Sequence, residues 1–159
     1  MIVNIRLDEK MVKGQLKNQW TSDAMTGKSV ILVNDELAAD SLKISTLSLT
    51  APAGIKFVYK SVADAIKIMK DPRGANMTFW LVVNNLKDIV RINEEVKVDK
   101  VNIAYLLGGK GEKKELAAQA KVTQENEDMI RDLISKGVTV IYQPIPTFPE
   151  EDFKKLLGL

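Results

Sequence analysis

Short apolar runs rich in β-branched residues recur along this chain, and between them apolar residues return every three or four positions. The runs at 2–7 (Ile-Val-Asn-Ile-Arg-Leu), 29–33, 54–59, 78–83, 101–107 and 138–142 predict strands, most of them covered on both faces. Val12, Leu16 and Trp20 stand four apart and predict a helix over 11–20. A second helix starts near Glu36, capped from Asn34-Asp35, and ends before Pro52. Ser61 with Asp64 opens a third, which carries Val62, Ile66 and Met69 inward and stops at Asp71-Pro72-Arg73-Gly74. A fourth over 85–93 buries Leu86, Ile89 and Val90. Thr123 caps a fifth that buries Met129, Ile130, Leu133 and Ile134 and ends at Gly137. After Pro144, Pro146 and Pro149 a short helix over 151–157 follows. Strands alternating with helices predict one α/β domain over 1–159, an open, mainly parallel sheet with helices on both faces. The lysine-rich stretch after Gly111 has no assigned structure at this level.

Composition narrows the chemistry. The chain has no cysteine and no histidine, which removes thiolate and imidazole metal sites and imidazole acid-base catalysis. No metal or cofactor is expected. A net charge of +2 gives no reason to expect nucleic acid. No apolar run approaches the roughly 20 residues of a membrane span, and no basic leader precedes the first strand, so direct membrane insertion is not expected and a cytoplasmic location is.

Ligands of open α/β sheets bind beyond the carboxyl ends of the strands, which puts the loops after Leu7, Val33, Val83 and Leu107 on one rim. Lys13 lies near a predicted helix start, where backbone N–H groups favour phosphate or carboxylate, and Lys10 and Lys43 join it if the fold brings them close. The competing reading makes these lysines solvated surface charges. Gly108-Gly109-Lys110-Gly111 and Gly27-Lys28-Ser29 both lack the spacing of a nucleotide-binding phosphate loop; the first reads as a turn and the second as a loop entering a strand. Asp8-Glu9 and Glu94-Glu95 read as solvated or capping residues rather than acid-base pairs.

The segment Arg6-Leu7-Asp8-Glu9-Lys10-Met11-Val12-Lys13-Gly14-Gln15, then Trp20, resembles the R-[IL]-D-x-R-L-[IV]-H-G-Q…W opening of mannose/fructose/sorbose-type IIB components of the bacterial sugar phosphotransferase system. Val33-Asn34-Asp35-Glu36-Leu37-Ala38-Ala39-Asp40, Ala51-Pro52-Ala53-Gly54 and Val101-Asn102-Ile103 resemble further segments of that family. The resemblance implies a parallel α/β domain that takes a phosphoryl group from a IIA histidine onto its own histidine and passes it to sugar entering through membrane IIC and IID components. It places Lys13 at the acceptor position and Lys10 and Lys43 where the family has phosphate-contacting arginines. Ala104 and Tyr105 stand in place of glycines. Gly14 completes the implied anion site, with Arg6, Asp8, Gln15 and Asp35 supporting the loop.

An imidazole nitrogen is nucleophilic near pH 7, whereas an ordinary lysine, with a pKa near ~10.4, is protonated and has no lone pair for phosphorus. Carboxylates in the same loop, Asp8 and Glu9, favour that charged form further. The expectation is a IIB-like module with a degenerate acceptor, serving in binding or regulation. The alternative is an active carrier that uses a nucleophile other than histidine.

Overall fold

The computed structural model describes residues 1–11, 29–49, 51 and 55–159. Strands β1 (Ile2–Asp8), β2 (Ser29–Val33), β3 (Lys56–Lys60), β4 (Thr78–Val83), β5 (Lys100–Tyr105), β8 (Thr139–Tyr142) and β9 (Glu151–Asp152) form one sheet in the order β3-β2-β4-β1-β5-β8-β9. All its neighbours pair in parallel except β9, which runs antiparallel to β8. The central strand β1 thus sits between β4 and β5, where the chain changes direction across the sheet. Strands β6 (Lys114–Ala117) and β7 (Ala120–Val122) form a separate antiparallel hairpin. The sheet bears out the sequence expectation of an α/β domain with a mainly parallel sheet.

Period-two alternation sorts the strands into two layers. Val3, Ile5 and Leu7 of β1 join Ile31, Val33, Leu81, Val83, Val101 and Ile103 in the larger core. Three helices cover that face: α3 (Val62–Lys70), α4 (Leu86–Glu95) and α5 (Gln124–Ser135). On the other face Met11, Val30, Leu32, Ile55 and Val82 form a smaller cluster. Leu37 and Leu47, from α1 (Asp35–Ala38) and α2 (Ser41–Ser48), pack against it. The last helix, α6 (Phe153–Leu156), anchors the C-terminus through the fully buried Phe153.

Capping residues account for most helix starts. Ser61, Asn85 and Thr123 each accept a hydrogen bond from the N–H three residues on, at 3.1, 2.9 and 3.1 Å. Asn34 does the same for Leu37 at 2.9 Å. The single helix expected from Glu36 to Pro52 is instead α1 and α2, because Asp40 accepts from Lys43 N–H at 3.0 Å and starts a new helix. The inward residues of α3 are Val62, Ala65 and Met69, with Ile66 only partly buried. In α4 the buried third residue is Ile92, not Val90. Glu127 is buried in α5 alongside Ile130 and Leu133, while Met129 and Ile134 are half-buried. Gly137 takes the left-handed conformation (φ 86°) expected past a helix end. The expected helix over 11–20 lies outside the described residues apart from Met11, as do Pro52 and Gly54.

Candidate functional site

Parallel strands bring the ends of β1, β2, β4 and β5 to one rim, and a cleft of about 930 Å³ opens there. Glu9, Lys10, Asn34, Leu37, Lys43 and Asn84 are among its lining. Lys10 and Lys43, read from sequence as neighbours only if the fold allowed it, therefore face one cavity. Both are exposed. Lys13, Gly14 and Gln15 lie outside the described residues.

The end of β1 is a turn built by Asp8. Its Oδ1 accepts from Lys10 N–H at 2.9 Å and its carbonyl accepts from Met11 N–H at 2.9 Å, and Met11 adopts a positive φ of 51°. Non-glycine residues enter that region at a cost, so the turn is held by these bonds and by burial of the Met11 side chain. Lys10 Nζ lies 4.5 Å from the centroid of the Tyr105 ring, within cation–π range. Two departures from the family pattern, the lysine at 10 and the tyrosine at 105, thus meet in space.

Arg6 and Asp8, which the resemblance gives as supports of the loop, form a buried pair at the end of β1. They lie inside the sheet, 3% and 2% exposed, with Arg6 Nη2 donating to Asp8 Oδ2 at 3.0 Å and Nε at 3.3 Å. Arg6 Nη1 also donates to the Pro144 carbonyl at 3.2 Å, which ties the segment after β8 to the central strand. Burial pushes the Asp8 carboxyl above its ordinary range, opposed by the charge of Arg6 and by its hydrogen bonds. Burial likewise pulls the Arg6 guanidinium below its usual value, with Asp8 opposing.

Asp35 does not line the cleft either. Its Oδ1 accepts from Val62 N–H at 2.9 Å and its Oδ2 pairs with Arg91 at 3.5 Å, so it joins α1 to the start of α3. The cleft-side polar chain is Asn34 Nδ2 to Asn84 Oδ1 at 3.1 Å, with Asn85 Nδ2 on the same oxygen at 2.9 Å. Glu94 and Glu95 end α4, and Glu95 pairs with Lys70 at 2.6 Å on the surface, as a solvated face would.

Sequence reasoning missed the role of Glu9. Its carboxylate accepts from Leu107 N–H and from Gly108 N–H, the latter at 2.8 and 3.1 Å. A Cβ at Gly108 would come within 2.5 Å of Glu9 Oε2, so any larger residue there would push the Glu9 carboxylate aside. The expected turn at Gly108 to Gly111 is present, with positive φ at Gly109 and Gly111, but its first N–H belongs to this contact. Both carboxylates offered as neighbours of Lys13 therefore already have partners, Asp8 in Arg6 and Glu9 in the loop after β5.

A parallel sheet with a change of direction at β1, and a cleft at the strand ends lined by Lys10 and Lys43 together with Glu9, Glu36 and Asp40, defines an α/β domain with a charged rim. A family model described as the PTS system sorbose subfamily IIB component matches residues 2–159. The chain belongs to this family of sugar phosphotransferase IIB components. A probable phosphotransferase enzyme IIB component of Streptococcus pyogenes is 35% identical over 124 residues, covering 77% of this chain and 74% of that protein. The mannose-specific EIIAB component of Escherichia coli (strain K12) is 26% identical over 160 residues, 99% of this chain and 49% of that one. Among solved structures, the IIBSor domain of the sorbose permease from Klebsiella pneumoniae superposes with a TM-score of 0.84 at 21% identity, over 99% of this chain and 97% of that one. That likeness shows the fold.

Proposed function

We propose that this IIB-family domain does not accept a phosphoryl group itself and works as a binding or regulatory module of a sugar phosphotransferase system. The observation that carries this reading is the absence of any histidine from a chain that matches the family from residue 2 to 159. Lys13, at the acceptor position by resemblance, is a protonated amine at neutral pH and no nucleophile for phosphorus. Lys10, Lys13, Gly14 and Lys43 would then form an anion-binding surface rather than a catalytic one, with lysine point charges in place of bidentate arginine forks. The partner is a IIA protein, a reading favoured by the EIIAB relative of which this chain matches about half. Membrane IIC and IID components complete the system. Among the described residues no helix is long and apolar enough to cross a membrane, which suits a cytoplasmic module docking on those components.

The test is incubation with phosphorylated IIA followed by intact-mass measurement. The expected spectrum is that of the unmodified chain, together with measurable association between the two proteins. An acid-labile phospholysine or an acid-stable phosphohydroxyl would establish the alternative, a carrier with another nucleophile. Lys13→His separates scaffold from nucleophile. If the rim is otherwise competent, the variant forms a new N–P bond to its imidazole as the P–N bond on IIA breaks.

A further inference from the structure

We propose that the loop after β5 carries a latent oxyanion site, formed by the N–H groups of Leu107 and Gly108, which Glu9 closes from within. Both N–H groups point to one carboxylate, and that carboxylate comes from a residue nearly a hundred positions away on the neighbouring strand end. Successive backbone N–H groups converging on one anion are the standard construction of a phosphate-binding concavity. The space is shaped for an oxygen, because the missing Cβ of Gly108 leaves the gap that Glu9 Oε2 fills. Lys113 Nζ donates to the Leu107 carbonyl at 2.6 Å, on the side of that trans peptide opposite the Gly108 N–H, and so holds the loop from behind. Glu9, Leu107 and Gly108 are all only half-buried, and Glu9 also lines the cleft shared by Lys10 and Lys43, so an outgoing carboxylate has solvent to enter.

The ligand class is a tetrahedral oxyanion, either free phosphate or a phosphoryl group carried by another molecule. A tethered carboxylate acts at an effective concentration on the order of millimolar, so it excludes weaker external anions until it is displaced. Removing it exposes two N–H donors. This inference is independent of the chemistry of Lys13.

The experiment follows the backbone amide resonances of Leu107 and Gly108 in the full chain as inorganic phosphate is added. A parallel titration uses phenyl phosphate, which distinguishes a site open to a substituent-bearing phosphoryl group from one that admits the free ion alone. In Glu9→Ala both amides should shift and saturate at phosphate concentrations about tenfold or more below those needed in the wild type. Glu9→Gln keeps a neutral oxygen acceptor in the loop and guards against a variant that fails to fold. It should bind phosphate between the two, because a neutral acceptor competes less and repels less. Equal responses in all three chains, or amides that stay unmoved in the folded variants, would overturn the proposal.

Discussion

On one face of the sheet Val3, Ile5 and Leu7 of β1 lie in an apolar layer that α3, α4 and α5 cover. On the other, Asn4, Arg6 and Asp8 of the same strand follow one another, with Asn102 of β5 alongside Arg6 and only a small apolar cluster under α1 and α2. One strand thus serves both surfaces through its two-residue period. The apolar face has no directional demands and supplies most of the folding free energy through burial. The polar face is held by specific bonds, Arg6 to Asp8 and Pro144, and Asn102 to Gln143 on both its N–H and its carbonyl, at 2.9 and 2.8 Å. Such bonds contribute little net stability but fix geometry, and they converge on the strand ends that form the rim.

The largest effect should come from separating the buried charges. Arg6→Met leaves the Asp8 carboxylate without its counter-ion and should cost about 3–5 kcal/mol in denaturant unfolding, whereas adding Asp8→Asn should recover much of the loss. The pH dependence has a definite sign. Without Arg6 the folded Asp8 carboxyl rises further above its unfolded value, so the variant binds a proton more readily when folded. Its deficit should shrink towards acid pH and grow as pH climbs past the ordinary aspartate range. A deficit independent of pH, and unrelieved in the double variant, would mean that packing rather than charge is what Arg6 contributes.

Next in size is the bracket formed by Asn102. Replacing it with leucine leaves the N–H and carbonyl of Gln143 unpaired at a part-buried place and should cost about 2 kcal/mol. Faster amide exchange should be confined to the segment after β8, which keeps its bond from Arg6 to Pro144 and the pair between Lys100 and Glu150.

The two faces differ also in how far the sequence discloses them. Strand runs and the caps at Asn34, Ser61 and Thr123 are local signals, read from spacing and from side-chain oxygens a few residues from their partners. Residues of the polar face look like surface when met in order. Arg6 and Asp8 sit in a stretch that reads as strand end and loop, and nothing nearby marks them as buried. The partners of Glu9, Leu107 and Gly108, lie some hundred residues on, and its charge beside Asp8 invites a solvated reading. The β6–β7 hairpin was illegible because Lys114 and Glu115 are exposed, which leaves few apolar positions to show alternation. Strand β9 is only two residues long, too short for any period. Lys43 lining the rim cleft depends on the extra break at Asp40, which a continuous helix hides.

A smaller effect should follow from Glu127, which joins α5 to the hairpin by accepting from Arg131 at 3.0 Å and pairing with Lys114 at 3.4 Å. The hydrogen bond from Arg131 holds its carboxyl below the usual glutamate range, helped by Lys114 and opposed by desolvation. A lowered folded value contributes stability that is present above the unfolded pKa near ~4.3 and disappears as pH falls through the folded value. Glu127→Gln should therefore cost about 1 kcal/mol at pH 7 and close to nothing near pH 3. Equal losses at both pH values would show the carboxamide failing in shape rather than in charge.

The smallest effect belongs to α2, which has no buried residue and leaves Leu42 78% exposed, while Leu49 just beyond it is 89% exposed. On the apolar face a leucine-to-serine change removes a packed side chain from water exclusion and costs several kcal/mol. Here neither leucine loses such contacts, so Leu42→Ser and Leu49→Ser should each stay within about 0.5 kcal/mol of the parent in denaturant unfolding. If either variant instead unfolds as readily as a core substitution, α2 packs more tightly in solution than its exposure indicates. The contrast between a face held by burial and a face held by particular bonds would then fail at its thinnest place.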